Sequence, residues 1–349
     1  MKALKIGKLE ISNSHRPIII AEMSGNHNQS IENALKIVDE AAKCGADMIK
    51  LQTYTPDTMT LNLDLKNFRI DDNNSLWKGQ SLYELYKKAH TPWEWHRKIF
   101  KHAKKRNLIC FSSPFDESAV DFLETLNVPV YKIASFENTD LPLIKKVIST
   151  KKPVIISTGL STISELSETV EFIRDNGCQK FILLKCTSTY PAKAENSNLL
   201  TIPHMREMFN CHVGLSDHTK GIGTAVASVS LGARVIEKHF TLSRKDGGVD
   251  AAFSIEPTEL KSLVNETKRA WQSLGVIKYG PTDAEIPSLK YRRSIYISKD
   301  LSKGTKLTKS NTKVIRPGYG LEPKHYENIL GMKLKKNVKK GTALSWNLI

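Results

Sequence analysis

Apolar positions in this chain come mostly in short runs without regular alternation, and each run stops at a polar residue. In chain order the runs are PIIIAE ending at Glu22, DMIKLQ at Gln52, LICFSS at Ser113 and PVYKIAS at Ser135, then PVIIST at Thr158, FILLKC at Cys186, HVGLSD at Asp217 and RVIEKH at His239. Runs of this length, rich in Ile and Val and without alternation, suit strands of a parallel sheet buried on both faces. The stretches between them read as helices. SIENALKIVDEAAKCG has helical spacing and a C-cap signal at Gly45, and TISELSETVEFIRDNG offers Thr162 or Ser164 as N-cap and Gly177 at its end. GIGTAVASVSLGA predicts a short, small-residued helix packed closely on the sheet. Eight βα units predict an α/β fold, a (β/α)8 TIM barrel whose chemistry collects at the C-terminal strand ends. A doubly wound open sheet uses the same units, but no G-x-G-x-x-G follows the first strand, which favours the closed barrel.

One connection breaks the rhythm. A long polar stretch runs from Thr53 to about Ser81 and carries Tyr54, Phe68 and Trp77. Loops longer than ~12–15 residues inside a compact domain are usually lids, binding loops or disorder, and the aromatics favour a substrate-covering loop. The helix EPTELKSLVNETKRAWQSLG ends the barrel near Gly275. After a linker the chain changes to short strands and turns (SKG, RPGYG, KKG). The predicted organisation is a catalytic barrel over 1–280 and a linker with a small second domain over 281–349.

Composition changes this picture little. The 349 residues, 40% hydrophobic and 25% charged, describe an ordinary globular protein. No apolar run approaches the ~18 residues that span a bilayer, and the first residues, MKALKIGKLEIS, lack the apolar core of a signal peptide, so no membrane association is expected. Five scattered cysteines without a C-x-x-C pair fit the reducing cytoplasm. Charge is more informative: of the net +16, the segment from Pro281 onward carries +10. Its lysines are interspersed and accompany no nucleic-acid motif, so the reading is a solvated surface that attracts an anionic substrate, with no nucleic-acid partner.

Three constellations at the strand ends carry chemistry. His218 and His239, on adjacent strands, would hold two imidazoles within reach of one divalent metal, leaving positions for water and substrate; a hydrogen-bonded structural histidine is the alternative. Lys50 and Lys132, ringed by Ser113, Ser135, Ser157, Ser188 and Ser216, suit a small, highly anionic ligand, although serines at strand ends also cap helices. Glu22 and Glu137 would face the same cavity, either to move a proton or as partners in a structural Lys–Glu pair.

The motifs AEMSGNHN, IKLQTY, FSSPFD, YKIASFE, PVIISTG, LLKCTSTYP, GLSDHT and IEKHF, followed by RPGYGL, resemble the sialic acid synthase family in order and over nearly the whole chain. Members condense phosphoenolpyruvate with a 2-acetamido sugar, using a barrel followed by an antifreeze-like (SAF) domain. Within the family, IKLQTYTPDTMT, SLYELYKKAHTPWEWH, SSPFD and GGVDAAFSIEP look closest to the synthases of pseudaminic acid, with N-acetylneuraminate and legionaminate synthases as alternatives. A catalytically silent saccharide-binding barrel is the non-enzyme alternative, which the presence of both histidines, both lysines and Glu22 disfavours. The resemblance implies that Lys50, Ser113, Lys132, Ser135, Ser157 and Ser216 bind phosphoenolpyruvate. It implies that Gln52, Glu137, Tyr190 and Asp250 meet the sugar, and that Glu22 is the catalytic carboxylate. His218 and His239 match its ligands for a divalent metal, Mn2+ ahead of Mg2+ or Co2+. Arg316 matches an arginine that the partner subunit of a homodimer inserts into the active site. Ser188 stands where some relatives carry Asn, and a hydroxyl cannot reproduce an amide's donors and acceptor.

Overall fold

The computed structural model describes residues 2–72 and 75–349. The chain divides into two units, Met1–Gly275 and Val276–Ile349.

The first unit is the closed barrel that the apolar runs predict. An antiparallel hairpin, β1 (Leu4–Ile6) and β2 (Leu9–Ile11), precedes eight parallel strands. These are β3 (Ile18–Glu22), β4 (Met48–Thr53), β5 (Ile109–Pro114), β6 (Tyr131–Ile133), β7 (Val154–Ser157), β8 (Phe181–Cys186), β9 (His212–Asp217) and β10 (Val235–His239). Each pairs with the next, and β10 returns to β3 to close the ring. The helices obey their caps: Ile31–Cys44 stops at Gly45, whose φ of 88° a side chain would strain, and Ile163–Asp175 starts at a capping box of Thr162 with Glu165. The small-residued helix Gly223–Ser230 and the closing helix Pro257–Leu274 lie where the pattern puts them.

Within each strand the side chains alternate although the sequence does not. Outward positions such as Ile19, Ile49 and Ile236 pack under the helices in one large core, while Ile18, Ile20, Met48, Phe111, Ile155, Ile182 and Val235 fill the barrel interior. Leu4, Ile6 and Ile11 of the hairpin join that interior cluster. The hairpin therefore plugs the N-terminal end of the barrel and keeps water from its lower layers. It went unread in the sequence, although LKIGKLEI alternates around Gly7, whose φ of 55° makes the turn.

Going up the barrel, the inward positions change from apolar to polar: Ile18, Ile20, Glu22 on β3; Met48, Lys50, Gln52 on β4; Val235, Glu237, His239 on β10. Parallel register aligns these changes, with Glu22 opposite both His239 and Lys50, and Gln52 opposite Ser113. One tier of the barrel is thus hydrocarbon and the tier above it is ionic.

The second unit begins with an exposed stretch that includes Val276, Ile277 and Tyr279. Its strands β11 (Ser294–Ile297) and β12 (Thr312–Ile315) pair antiparallel, and Ile295, Ile297, Leu307, Ile329, Leu334, Leu344 and Leu348 form a small core of their own.

Candidate active site

The polar tier of the barrel gathers most of the residues singled out from the sequence. Lys50 lies on its floor, 4% exposed, with its Nζ 2.7 Å from Glu237 Oε1 and 3.3 Å from Glu22 Oε2. Burying an ammonium is tolerable only with such partners, and their joint effect raises the Lys50 pKa against the pull of burial. Burial pushes the Glu22 carboxyl up to about 7 despite Lys50 and a 3.0 Å hydrogen bond from Gln52 Nε2. Glu237 goes the other way: burial opposes its charge, but Lys50 and Lys132 hold it down to about 2. Two carboxylates around one lysine therefore differ in state, Glu237 ionised and Glu22 poised near neutrality, as acid–base chemistry requires.

Lys132 is 1% exposed and donates to Ser157 Oγ at 2.6 Å and to Ile133 O at 3.0 Å. Burial lowers its pKa to about 8. Ser216 Oγ donates to Glu237 Oε1 at 3.1 Å, and Ser135 Oγ accepts from the backbone N–H of Gly159 at 3.2 Å. Gly159 is a cradle: a Cβ there would lie 2.2 Å from Ser188 Oγ and 2.6 Å from Ser135 Oγ. Ser188 thus stands beside the other hydroxyls. Glu137, just beyond β6, is raised to about 7, chiefly by burial.

His218 and His239 face each other with ring centroids 5.3 Å apart. Nδ1 of His218 is taken by Thr187 O at 2.9 Å, which leaves its Nε2 for the cavity. Nδ1 of His239 is buried without a hydrogen-bond partner, 3.6 Å from Asp250 Oδ2. Burial and the neighbouring His218 keep His239 well below its ordinary pKa, hence neutral and able to ligate. Asp250 accepts from Ser24 Oγ, and burial raises it to about 6. The Tyr190 ring lies 4.4 Å from that of His218. An orphaned imidazole nitrogen, a second imidazole and an adjacent carboxylate fit a divalent cation, although the described residues contain no cluster of three or more ready ligands.

The orphaned polar atoms locate the ligand site independently. Ser113 Oγ, Glu137 Oε2, Glu237 Oε2 and His239 Nδ1 are buried without a hydrogen-bond partner, and Glu22 Oε2 has only the ion-pair contact with Lys50. Buried polar groups are normally satisfied, so such a concentration marks a surface built for a polar ligand.

Two strand-end residues, Asp217 and Thr158, depart from the reading of the ends as one active-site set, whereas Cys186 lies within the site. Asp217 points out of the barrel and pairs with Lys238 at 2.8 Å, both almost fully buried. Thr158 donates to Leu184 O at 3.2 Å. Cys186, given no role, has its Sγ 3.9 Å from His218 Nδ1 and 3.7 Å from Ser188 Oγ; burial opposes its ionisation, but His218 lowers it to about 6. Glu237 was missed because it sits inside the run RVIEKH. Its parity with His239, two residues on, was the available signal. Arg316 lies on the second unit, exposed, at the end of β12. The substrate-covering loop includes Asn73 and Asn74, which lie outside the described residues; its described part holds a short helix at Pro56–Met59 and a turn at Lys66–Phe68.

Residues 37–279 match the NeuB family and residues 292–349 the SAF domain. The chain is 44% identical to the pseudaminic acid synthase of Campylobacter jejuni, over 93% of this chain and 94% of that protein. It is 43% identical to the pseudaminic acid synthase of Helicobacter pylori, over 94% and 96%. With the N,N'-diacetyllegionaminic acid synthase of Legionella pneumophila the identity is 36%, over 95% and 94%. Among solved structures it is similar to the N-acetylneuraminic acid synthetase of Leptospira borgpetersenii, with a TM-score of 0.73 and 31% identity, covering 83% of this chain and 96% of that one.

Proposed function

The chain belongs to the NeuB family, and on that premise we infer that it condenses phosphoenolpyruvate with 2,4-diacetamido-2,4,6-trideoxy-L-altrose and releases phosphate, as a pseudaminic acid synthase. It is a transferase that forms a carbon–carbon bond. The observation that carries the site is the ring of orphaned polar atoms around two buried lysines at the C-terminal mouth of the barrel.

The bonding changes are simple to balance. C3 of phosphoenolpyruvate bonds to the aldehyde carbon of the open-chain sugar, and the aldehyde oxygen takes a proton. Water adds at C2 and loses a proton, and the resulting hemiketal phosphate expels phosphate to leave the 2-keto acid. Lys50 and Lys132, with Ser113, Ser135, Ser157, Ser188 and Ser216, hold the phosphate and carboxylate in a water-poor cavity where charge pairing is strong. Glu22, with its pKa near 7, accepts the proton of the incoming water and returns one to the forming alcohol. Glu237 stays ionised and keeps Lys50 charged. Gln52, Glu137, Tyr190 and Asp250 orient the sugar. A divalent cation held by His218 and His239, Mn2+ ahead of Mg2+ or Co2+, would polarise the aldehyde as a Lewis acid.

The eight strand ends contain no arginine, whereas Arg316 is exposed in the second unit. This supports a homodimer in which the SAF domain of each chain completes the partner's site. No helix among the described residues is long and apolar enough to cross a membrane. Five buried free thiols suit a cytoplasmic enzyme. The test is phosphate release from phosphoenolpyruvate with the altrose derivative, the legionaminate precursor and N-acetylmannosamine in parallel. The altrose derivative is expected to give the highest kcat/KM; preference for either other sugar overturns the sugar assignment and leaves the family intact.

A further inference from the structure

We propose that Trp77, on the connection after β4, determines sugar specificity: its indole walls the far end of the sugar chain and its N–H fixes the segment that carries Asp250. The proposal rests on the sugar-synthase reading above and adds a residue to it.

The rings at the barrel mouth form a series leading outward from the histidines. Tyr190 lies 4.4 Å from His218 and 5.3 Å from Phe253, and Phe253 lies 4.9 Å from His239. Trp77 continues the series at 6.0 Å from Tyr190, tilted by 53°. With the aldehyde carbon next to the histidines, a sugar chain running out along Tyr190 brings its last carbons to Trp77. In the altrose derivative the last carbon is a methyl group, whereas N-acetylmannosamine carries a hydroxyl there. An indole face accepts the methyl and offers the hydroxyl no partner.

The second contact is a hydrogen bond from Trp77 Nε1–H to Val249 O at 3.0 Å. Val249 precedes Asp250 and follows Gly247 and Gly248, whose φ values are 73° and 126°. Two glycines in left-handed backbone give this segment many alternative conformations, so a fixed Asp250 needs an external tie. Trp77 supplies one from across the mouth at Val249, beside the bonds that Ser24 Oγ makes to the Asp250 carboxylate and Ser254 Oγ to its carbonyl. Trp77 and Val249 also line a cavity of about 570 Å³, together with Asn28, Gln29, Leu85 and Lys88 among others. Its mix of amide and apolar surface suits an acetamido group, and its volume lies within the range of small-molecule sites.

The two contacts separate by mutation. Trp77→Ala removes both ring and N–H, while Trp77→Phe keeps a ring and removes the donor. Initial rates with phosphoenolpyruvate and each sugar varied separately give both KM values and kcat, and circular dichroism melts verify folding. Trp77→Ala is expected to raise the sugar KM about tenfold or more, to leave the phosphoenolpyruvate KM within about twofold, and to shrink the kcat/KM preference for the deoxy sugar over N-acetylmannosamine. Trp77→Phe is expected to keep most of the preference and to lose kcat, because the segment before Asp250 loses its tie at Val249 and Asp250 is held by Ser24 and Ser254 alone. A folded Trp77→Ala protein with unchanged sugar KM and unchanged preference overturns the proposal, as does an equal rise in both KM values. If the parent enzyme prefers N-acetylmannosamine, the sugar assignment fails by itself, and the effect of Trp77 is then read from the KM of that sugar.

Discussion

Glu22→Gln should make the protein less active and more stable at once. Glu22 is 1% exposed, and burial holds its carboxyl proton up to about 7 where a solvated glutamate has 4.5. Between those values the folded chain keeps a proton that the unfolded chain releases. The stability tied to this group is therefore fully present below about pH 4.5 and lost as pH rises through about 7. The difference between the two values corresponds to about 3 kcal/mol at ~1.4 kcal/mol per unit, a cost the parent bears at pH 8. Glutamine removes the ionisation but not the packing: its Oε1 can still accept from Gln52, and Lys50 keeps Glu237 at 2.7 Å. Urea unfolding of the barrel, followed at pH 8 and at pH 4.5, should show the variant more stable by about 3 kcal/mol at the higher pH and level with the parent at the lower. In the same preparation kcat should fall by about 10²–10⁴, the usual worth of a positioned acid–base group. A variant that is less stable than the parent at pH 8 would show that ionised Glu22 supports the fold as a lysine partner, and near-normal kcat would remove it from the proton relay.

Gly159→Ala puts a methyl 2.2 Å from Ser188 Oγ and 2.6 Å from Ser135 Oγ, so both hydroxyls must turn away. The KM for phosphoenolpyruvate should rise about tenfold with the sugar KM unchanged, since small overpacking costs ~1–3 kcal/mol; steady-state kinetics check the split. His218→Ala or His239→Ala should abolish turnover while keeping the far-ultraviolet dichroism of the parent, and a chelator should inactivate the parent reversibly, with activity restored by Mn2+. Mixing Arg316→Ala chains with His218→Ala chains should recover part of the activity, because one site of each mixed dimer holds both residues; no recovery after verified subunit exchange rules out the shared site.

The sequence by itself determined the barrel. A parallel strand covered by helices outside and by its neighbours inside is apolar at most positions on both faces, and eight such runs leave few alternatives to closure. It also determined which polar types crowd the mouth, because a charged residue ending an apolar run is costly unless it has work to do. Facing was left to the tertiary structure. Asp217 ends its run yet points outward to Lys238, while Glu237 is hidden inside IEKH yet points inward to Lys50. Side-chain direction along a strand has period two, and a run without alternation gives no phase; only the register of β9, β10, β3 and β4 around the closed ring sets it. The states of the carboxylates belong to the structure for the same reason. Glu22 near 7 and Glu237 near 2 share one lysine, and burial and distance decide which of them gives up its charge. The hydrogen bond from Trp77 to Val249 joins positions 172 residues apart, a contact that no local pattern encodes and that exists because the barrel brings the connections after β4 and β10 to the same end.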